Sequence, residues 1–323
     1  VRRFAAQPVE YLRSLALEAL QMVPLKEARK RATMNDLETD PTRATSPDLN
    51  RRVFVGLSAA MTAGITGGTS SIALGQGALG EPHPPMVPEN HPAITIERVE
   101  LRRPDGTVPG YAAWPVHAQG NVPSVVVIMH IWGVDTSIRD VVRRLAAVGF
   151  AAIAPDLYSR FGAPSGDGSS DIDIFRPYSK QLDRKQYNGD IRAAALWLTT
   201  KFPQSKVGVL GFCMGGHIAL IQATDNADVF SVVAPFYGSL PGIEASAMTM
   251  PVCGSYGGRD TSIPAEDVRA FRDALRVPND IRVYNSAGHA FFDDQRASYV
   301  PAAAIDAWKR TLDCFKLYLV QKT

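Results

Sequence analysis

From residue 124 onward, short apolar runs alternate with stretches of helical periodicity, and this alternation restricts the chain to a narrow set of folds. Residues 124–129 (SVVVIM) and 151–154 are continuous apolar runs, which suit strands covered on both faces. Between them, in residues 136–148, Ile138, Val141, Val142, Leu145 and Ala146 recur at helical spacing. The pattern continues with a helix around 189–200, a strand at 206–211, a helix at 214–223 and strands at 230–236 and 252–256. A helix at 265–275, a strand at 280–284 and a helix at 302–320 complete it. Repeated βα units predict an α/β fold, a mainly parallel central sheet with helices on both faces. Ahead of them, residues 93–102 alternate as a half-buried strand does, Asp105-Gly106 supplies a hairpin turn, and 110–115 returns. Ligands of such sheets bind at the carboxyl ends of the strands, so chemistry is expected in the loops after Met129, Gly211, Tyr256 and Tyr284.

Residues 1–92 read differently. Residues 1–52 hold ten Lys/Arg and seven acids, whereas residues 53–80 carry no charge and are rich in Gly, Ala, Ser and Thr. Glycines and hydroxyls interrupt this run too often for a permanent membrane span. The preceding Arg51-Arg52 with Phe54 resembles a twin-arginine export signal, and Ala73-Leu74-Gly75 and Ala78-Leu79-Gly80 offer the small residues that a signal peptidase reads. The expectation is an extension (1–52), the apolar part of an export signal (53–80), a Pro-rich linker (81–92) and a folded domain (93–323). The twin-arginine machinery would then be a partner of the precursor. The mature protein would start near Gly75 or Gly80 and be periplasmic or otherwise exported. A flexible linker behind a helix over residues 10–31 is the competing reading, with a cytoplasmic protein. Met34 is a candidate start for the leader.

The loop after strand 206–211 reads Gly211-Phe212-Cys213-Met214-Gly215-Gly216, a nucleophile-elbow pattern with cysteine at its centre. Glycines flank the central residue because larger side chains would collide with the strand and helix. A sulfur at a helix N-terminus is also favoured as thiolate. A buried structural cysteine at a Gly-rich junction is the plainer alternative. A nucleophile needs a base and the base an orienting acid. Downstream of Cys213 only His217 and His289 occur, and His217 lies on the elbow helix facing away from the sulfur. Asp260, in the Gly-rich loop after 252–256, is the first candidate acid; Asp293 and Asp294 are rivals. Cys253 and Cys314 are expected to be non-catalytic and to pair only if the fold brings them close.

From about Pro115 onward the chain resembles the dienelactone hydrolase (carboxymethylenebutenolidase) family of α/β-hydrolases. The residues that carry this are IWGVD at 131–135, APDLYSR at 154–160, GFCMGG at 211–216, GGRD at 257–260 and GHAFF at 288–292. The resemblance implies an α/β-hydrolase fold, a Cys213, His289, Asp260 triad, and an oxyanion hole made by the backbone N–H groups of Ile131 and Met214. Two positions depart from it: His130 stands where family members carry a glutamate that holds the resting thiol, and Asp293 where they carry a carboxylate-binding arginine. His130 is thus a candidate thiol partner or second base, with a satisfied histidine at a strand end the equal alternative. Trp132, Tyr158 and Phe291 are candidate substrate contacts, with Phe161, Tyr237 and Phe292 in the same loops, core packing being the alternative for each; Arg160 and Arg296 are candidate anion contacts, with ordinary surface arginines the default reading.

The function expected is hydrolysis of a small-molecule ester or lactone through a thioester, with no metal or organic cofactor. A general carboxylesterase or thioesterase on the same triad and an exported, non-catalytic binding homologue are the alternatives. With Lys+Arg 34 against Asp+Glu 32, the net charge of +2 is too balanced for a protein built to grip nucleic acid. Three cysteines without short spacing exclude a disulfide scaffold and every four-cysteine metal site.

Overall fold

The computed structural model describes residues 80–169 and 171–320. The twin-arginine-like pair, the charge-free run up to residue 79 and Met34 lie outside the described residues.

In chain order the described elements are β1 (Ile94–Arg103), β2 (Gly106–Pro115), β3 (Ser124–Ile128), α1 (Thr136–Ala147), β4 (Ala151–Pro155), α2 (Arg176–Ser179) and α3 (Arg184–Lys201). They continue with β5 (Val207–Phe212), α4 (Met214–Asp225), β6 (Phe230–Phe236), β7 (Ser255–Gly257), α5 (Ala265–Ala274), β8 (Arg282–Tyr284) and α6 (Pro301–Leu319). The strands form one sheet in the order β1-β2-β4-β3-β5-β6-β7-β8. β1 and β2 make an antiparallel hairpin joined antiparallel to β4, and the remaining pairs are parallel. This is the expected α/β-hydrolase architecture.

Every residue of β3, β4 and β5 is buried, as continuous apolar strands require. From β3 the chain passes one way to β4 and then crosses back beyond β3 to β5. Right-handed crossovers therefore put α1 on one face and α3, α4 and α5 on the other. The loops after β3 and β5 meet at this reversal, the point where open α/β sheets bind ligands.

The Pro-rich residues after Gly80 form no helix or strand, yet they are fastened to the domain. The N–H groups of Met86 and Val87 each donate to the buried Asp140 carboxylate at 2.9 Å, and the His83 N–H donates to Asp294 O at 2.9 Å. Cys253 and Cys314 are disulfide-bonded with Cα atoms 6.6 Å apart, tying the segment before β7 to α6. Among the described residues no helix is long and apolar enough to cross a membrane.

Candidate active site

Strand register brings the carboxyl ends level. Ile128 lies opposite Gly211, Phe212 opposite Phe236, and Gly257 opposite Tyr284. The loops that follow converge on Cys213, which sits between β5 and α4 with φ 54° and ψ −116°. A side-chain-bearing residue rarely adopts that φ, and its strain is offset by fixed surroundings. The Cys213 N–H donates to Phe236 O at 3.0 Å, and its carbonyl accepts from Gly216 and His217. Only glycine fits beside it. A Cβ on Gly211 would lie 2.0 Å from Gly215 O, and one on Gly215 would lie 2.4 Å from the carbonyl oxygens of both Ile128 and Met129.

Cys213 Sγ lies 3.0 Å from His289 Nε2, and His289 Nδ1 lies 2.6 Å from Asp260 Oδ2. Asp260 is buried, and its other oxygen accepts from the N–H groups of Ser262 and Ile263, so one oxygen alone is turned to the histidine. Burial pulls the His289 imidazole toward its neutral form, but hydrogen bonds to Asp260 and Cys213 outweigh it, and the group is pushed up to about 10. With Nδ1–H donating to Asp260, Nε2 is the ring nitrogen that faces the Cys213 sulfur. The result is a sulfur beside a charged imidazole at the N-terminus of a 12-residue helix.

Strain collects here. Four non-glycine residues with positive φ occur among the described residues, and three of them, Cys213, Tyr237 and Ala290, are at or next to this site. The Tyr237 ring lies 5.2 Å from that of His289. Nothing in the sequence signals the strain at Tyr237 or Ala290.

The two amides expected from the resemblance belong to Ile131, in the loop after β3, and to Met214, the first residue of α4 and the one that follows Cys213. Neither N–H has a backbone acceptor among the described residues. The Tyr158 hydroxyl donates to Ile131 O at 3.1 Å and lies 3.5 Å from Met214 Sδ, so this buried residue links the loop after β3 to the start of α4.

Several sequence expectations are corrected. His130 does not bond the thiol: it is buried with Nε2 2.9 Å from Asp135 Oδ1 and Nδ1 3.7 Å from Asp293 Oδ2, its ring held between two carboxylates. Arg160 is no anion contact, because its guanidinium is engaged by both oxygens of Asp190. Arg296 is likewise committed, to Asp135 at 2.8 Å and Asp293 at 2.9 Å. Phe291 is fully buried among Phe236, Tyr237 and Tyr284 and is core, and Phe292 packs inside against Phe212. Trp132 remains partly exposed, beneath the Arg296 guanidinium at 3.6 Å. The rival acids face elsewhere, Asp293 toward His130 and Arg296, Asp294 toward Arg144 at 2.6 Å. His217 bonds Ser239 O at 2.8 Å. Sequence reasoning missed Asp135 as the partner of His130, although Asp five residues after a strand-end His and just ahead of a helix is a readable N-cap.

Residues 108–319 match the model of the dienelactone hydrolase family. A protein of Escherichia coli (strain K12) named "Putative carboxymethylenebutenolidase" is 38% identical over 226 residues, 65% of this chain and 83% of that one. One of Salmonella typhimurium with the same name is 36% identical over 250 residues, covering 73% and 92%. The crystal structure titled "Putative Dienelactone Hydrolase" from Klebsiella pneumoniae is 34% identical with a TM-score of 0.65, covering 70% of this chain and all of that one. The chain belongs to the dienelactone hydrolase family and is a carboxylic ester hydrolase of that type.

Proposed function

We propose that the protein hydrolyses small esters or lactones through a thioester on Cys213, with His289 as base and acid and Asp260 as the orienting group. The observation that carries this reading is the unbroken line Cys213 Sγ, His289 Nε2, His289 Nδ1, Asp260 Oδ2, with steps of 3.0 and 2.6 Å. His289 takes the thiol proton and the sulfur adds to the substrate carbonyl carbon. The carbonyl oxygen becomes an oxyanion facing the Ile131 and Met214 N–H groups, each such donor being worth on the order of 3 kcal/mol. As the C–O bond to the leaving group breaks, His289 gives its proton to the departing alkoxide. His289 then deprotonates a water, whose oxygen adds to the thioester carbon, and the C–S bond breaks to return the thiolate and free the acid. Asp260 keeps the Nδ1–H tautomer and stabilises the imidazolium.

A butenolide or other lactone is the substrate class suggested by the relatives' names, while open-chain esters and thioesters suit the same chemistry. The experiment is a panel of aryl esters, thioesters and lactones with wild type and Cys213→Ala, each checked for folding by its Tm. Loss of turnover in the variant by a factor of about 10³ or more supports the reading. Equal rates for both proteins favour a binding protein that has kept only the scaffold.

We also propose that the protein is exported. The support is the Cys253–Cys314 disulfide, since such bonds persist in oxidising compartments, together with Arg51-Arg52 ahead of a charge-free run. Replacing both arginines with lysine traps the protein inside the cell on this reading; unchanged secretion overturns it.

A further inference from the structure

We propose that His130 is a positioning residue that holds the Ile131 amide in place against the Cys213 sulfur; the proposal rests on the thioester reading above. His130 belongs to a closed ring of four charged or titratable side chains. His130 Nε2 meets Asp135 Oδ1 at 2.9 Å, Asp135 Oδ2 meets Arg296 at 2.8 Å, Arg296 Nε meets Asp293 Oδ2 at 2.9 Å, and that oxygen returns to His130 Nδ1 at 3.7 Å. His130, Asp135 and Asp293 are at most 6% exposed, and the Arg296 side chain 14%. The ring spans two loops: residues 130–135 after β3, which contain the Ile131 amide, and the segment after His289.

The ring's anchor is rigid. Asp135 caps α1 by accepting from the Ser137 and Ile138 N–H groups at 3.1 Å. The bond from His130 to Asp135 therefore closes the loop across its ends, and Gly133 N–H donating to His130 O at 3.1 Å closes it through the backbone. On the other side of Ile131, Trp132 is pinned beneath Arg296 at 3.6 Å, and Arg296 also donates to Ser169 O. Both neighbours of Ile131 are thus held by ring members, while its own N–H has no backbone acceptor among the described residues. A group of charges this deeply buried contributes little net stability compared with well-packed apolar side chains. Its geometric effect is to remove freedom from one short loop, and the peptide plane between His130 and Ile131 is the part that has a donor to aim.

The test separates carbonyl addition from sulfur reactivity. Hydrolysis of an aryl ester needs the oxyanion donor, whereas alkylation of Cys213 by iodoacetamide needs only the thiolate. In His130→Ala the expected result is a fall in kcat on the order of 100-fold, the cost of about 1 Å of misplacement, with KM and the alkylation rate within about threefold of wild type. His130→Gln, whose amide can reach Asp135, recovers most of the loss and keeps the test open if the alanine variant fails to fold. Parallel loss of hydrolysis and alkylation, glutamine rescuing no better than alanine, or a rise in KM at constant kcat each overturns the proposal. Failure of the thioester reading has a different signature: wild-type protein that iodoacetamide does not label at Cys213, or undiminished hydrolysis in Cys213→Ala.

Discussion

Gly215→Ala tests whether the close approach of α4 to β3 places the sulfur. A methyl group there would lie 2.4 Å from two carbonyl oxygens, of Ile128 and Met129, and both obstacles are backbone. To reach even 3.0 Å, the start of α4 has to retreat by about 0.6 Å. Because no flexible side chain can move aside, the overpacking cost lies near the upper end of its usual range, about 3 kcal/mol. Alanine's better helix propensity returns about 1 kcal/mol, which leaves a net loss of about 2 kcal/mol. For a domain of this size that is a drop in Tm of about 4–8 °C. The retreat carries Cys213 with it, and half an ångström of misplacement costs on the order of tenfold in kcat/KM. The matched control is Gly288→Ala, one residue before His289, where a Cβ meets nothing within 4 Å. The assay is differential scanning calorimetry with kcat/KM on one aryl ester for the three proteins. Gly215→Ala behaving as wild type, or Gly288→Ala being equally damaging, refutes the reasoning.

Asp260→Asn removes the charge that orients His289, and the expected loss in kcat is on the order of 10³- to 10⁴-fold, with the iodoacetamide rate at neutral pH falling in the same variant; an unchanged rate means that the acid has been misassigned. His289 is raised in the folded protein from 6.5 to about 10, so its contribution to stability is fully present below pH 6.5 and is lost as pH rises through 10. The Tm gap between wild type and His289→Gln should therefore narrow across that window, and a gap that widens contradicts the pairing. Replacing both Cys253 and Cys314 with alanine should cost about 2–4 kcal/mol in urea unfolding while leaving Cys213 alkylation intact. Before that change, unreduced, denatured wild-type protein should titrate one thiol per chain.

The alternation of apolar runs made the sheet readable, since strands buried on both faces must be continuously apolar, and β3 to β6 fall close to their expected places. Short edge strands were less legible. Residues 252–256 read as one strand, but regular pairing begins only at Ser255, after an isolated bridge at Val252. The start of α3 was misplaced for a tertiary reason. Gly189 looks like a helix boundary, yet the helix begins at Arg184 behind the Asp183 cap, and the Arg103 guanidinium lies where a Cβ at Gly189 would be. Cys213, Asp260 and His289 were legible because each lies just after a strand and their chain order is that of the elbow fold. The ring around His130 was not. Its two halves, His130 with Asp135 and Asp293 with Arg296, lie far apart in sequence, and charged residues in loops look like solvated surface until the fold encloses them. The commitment of Arg160 to Asp190 and of Arg296 to Asp135 is hidden for the same cause, since each of these carboxylates is distant in sequence.

The central claim is a covalent thioester on Cys213, and rapid acid quenching during turnover of an activated aryl ester, followed by intact-protein and peptide mass spectrometry, tests it most directly. The account predicts one acyl group per chain on the peptide that contains Cys213, formed within the burst of phenol release, discharged by hydroxylamine and absent in Cys213→Ala. An acyl group on any other residue, or steady turnover with unmodified Cys213 and full activity in Cys213→Ala, contradicts it.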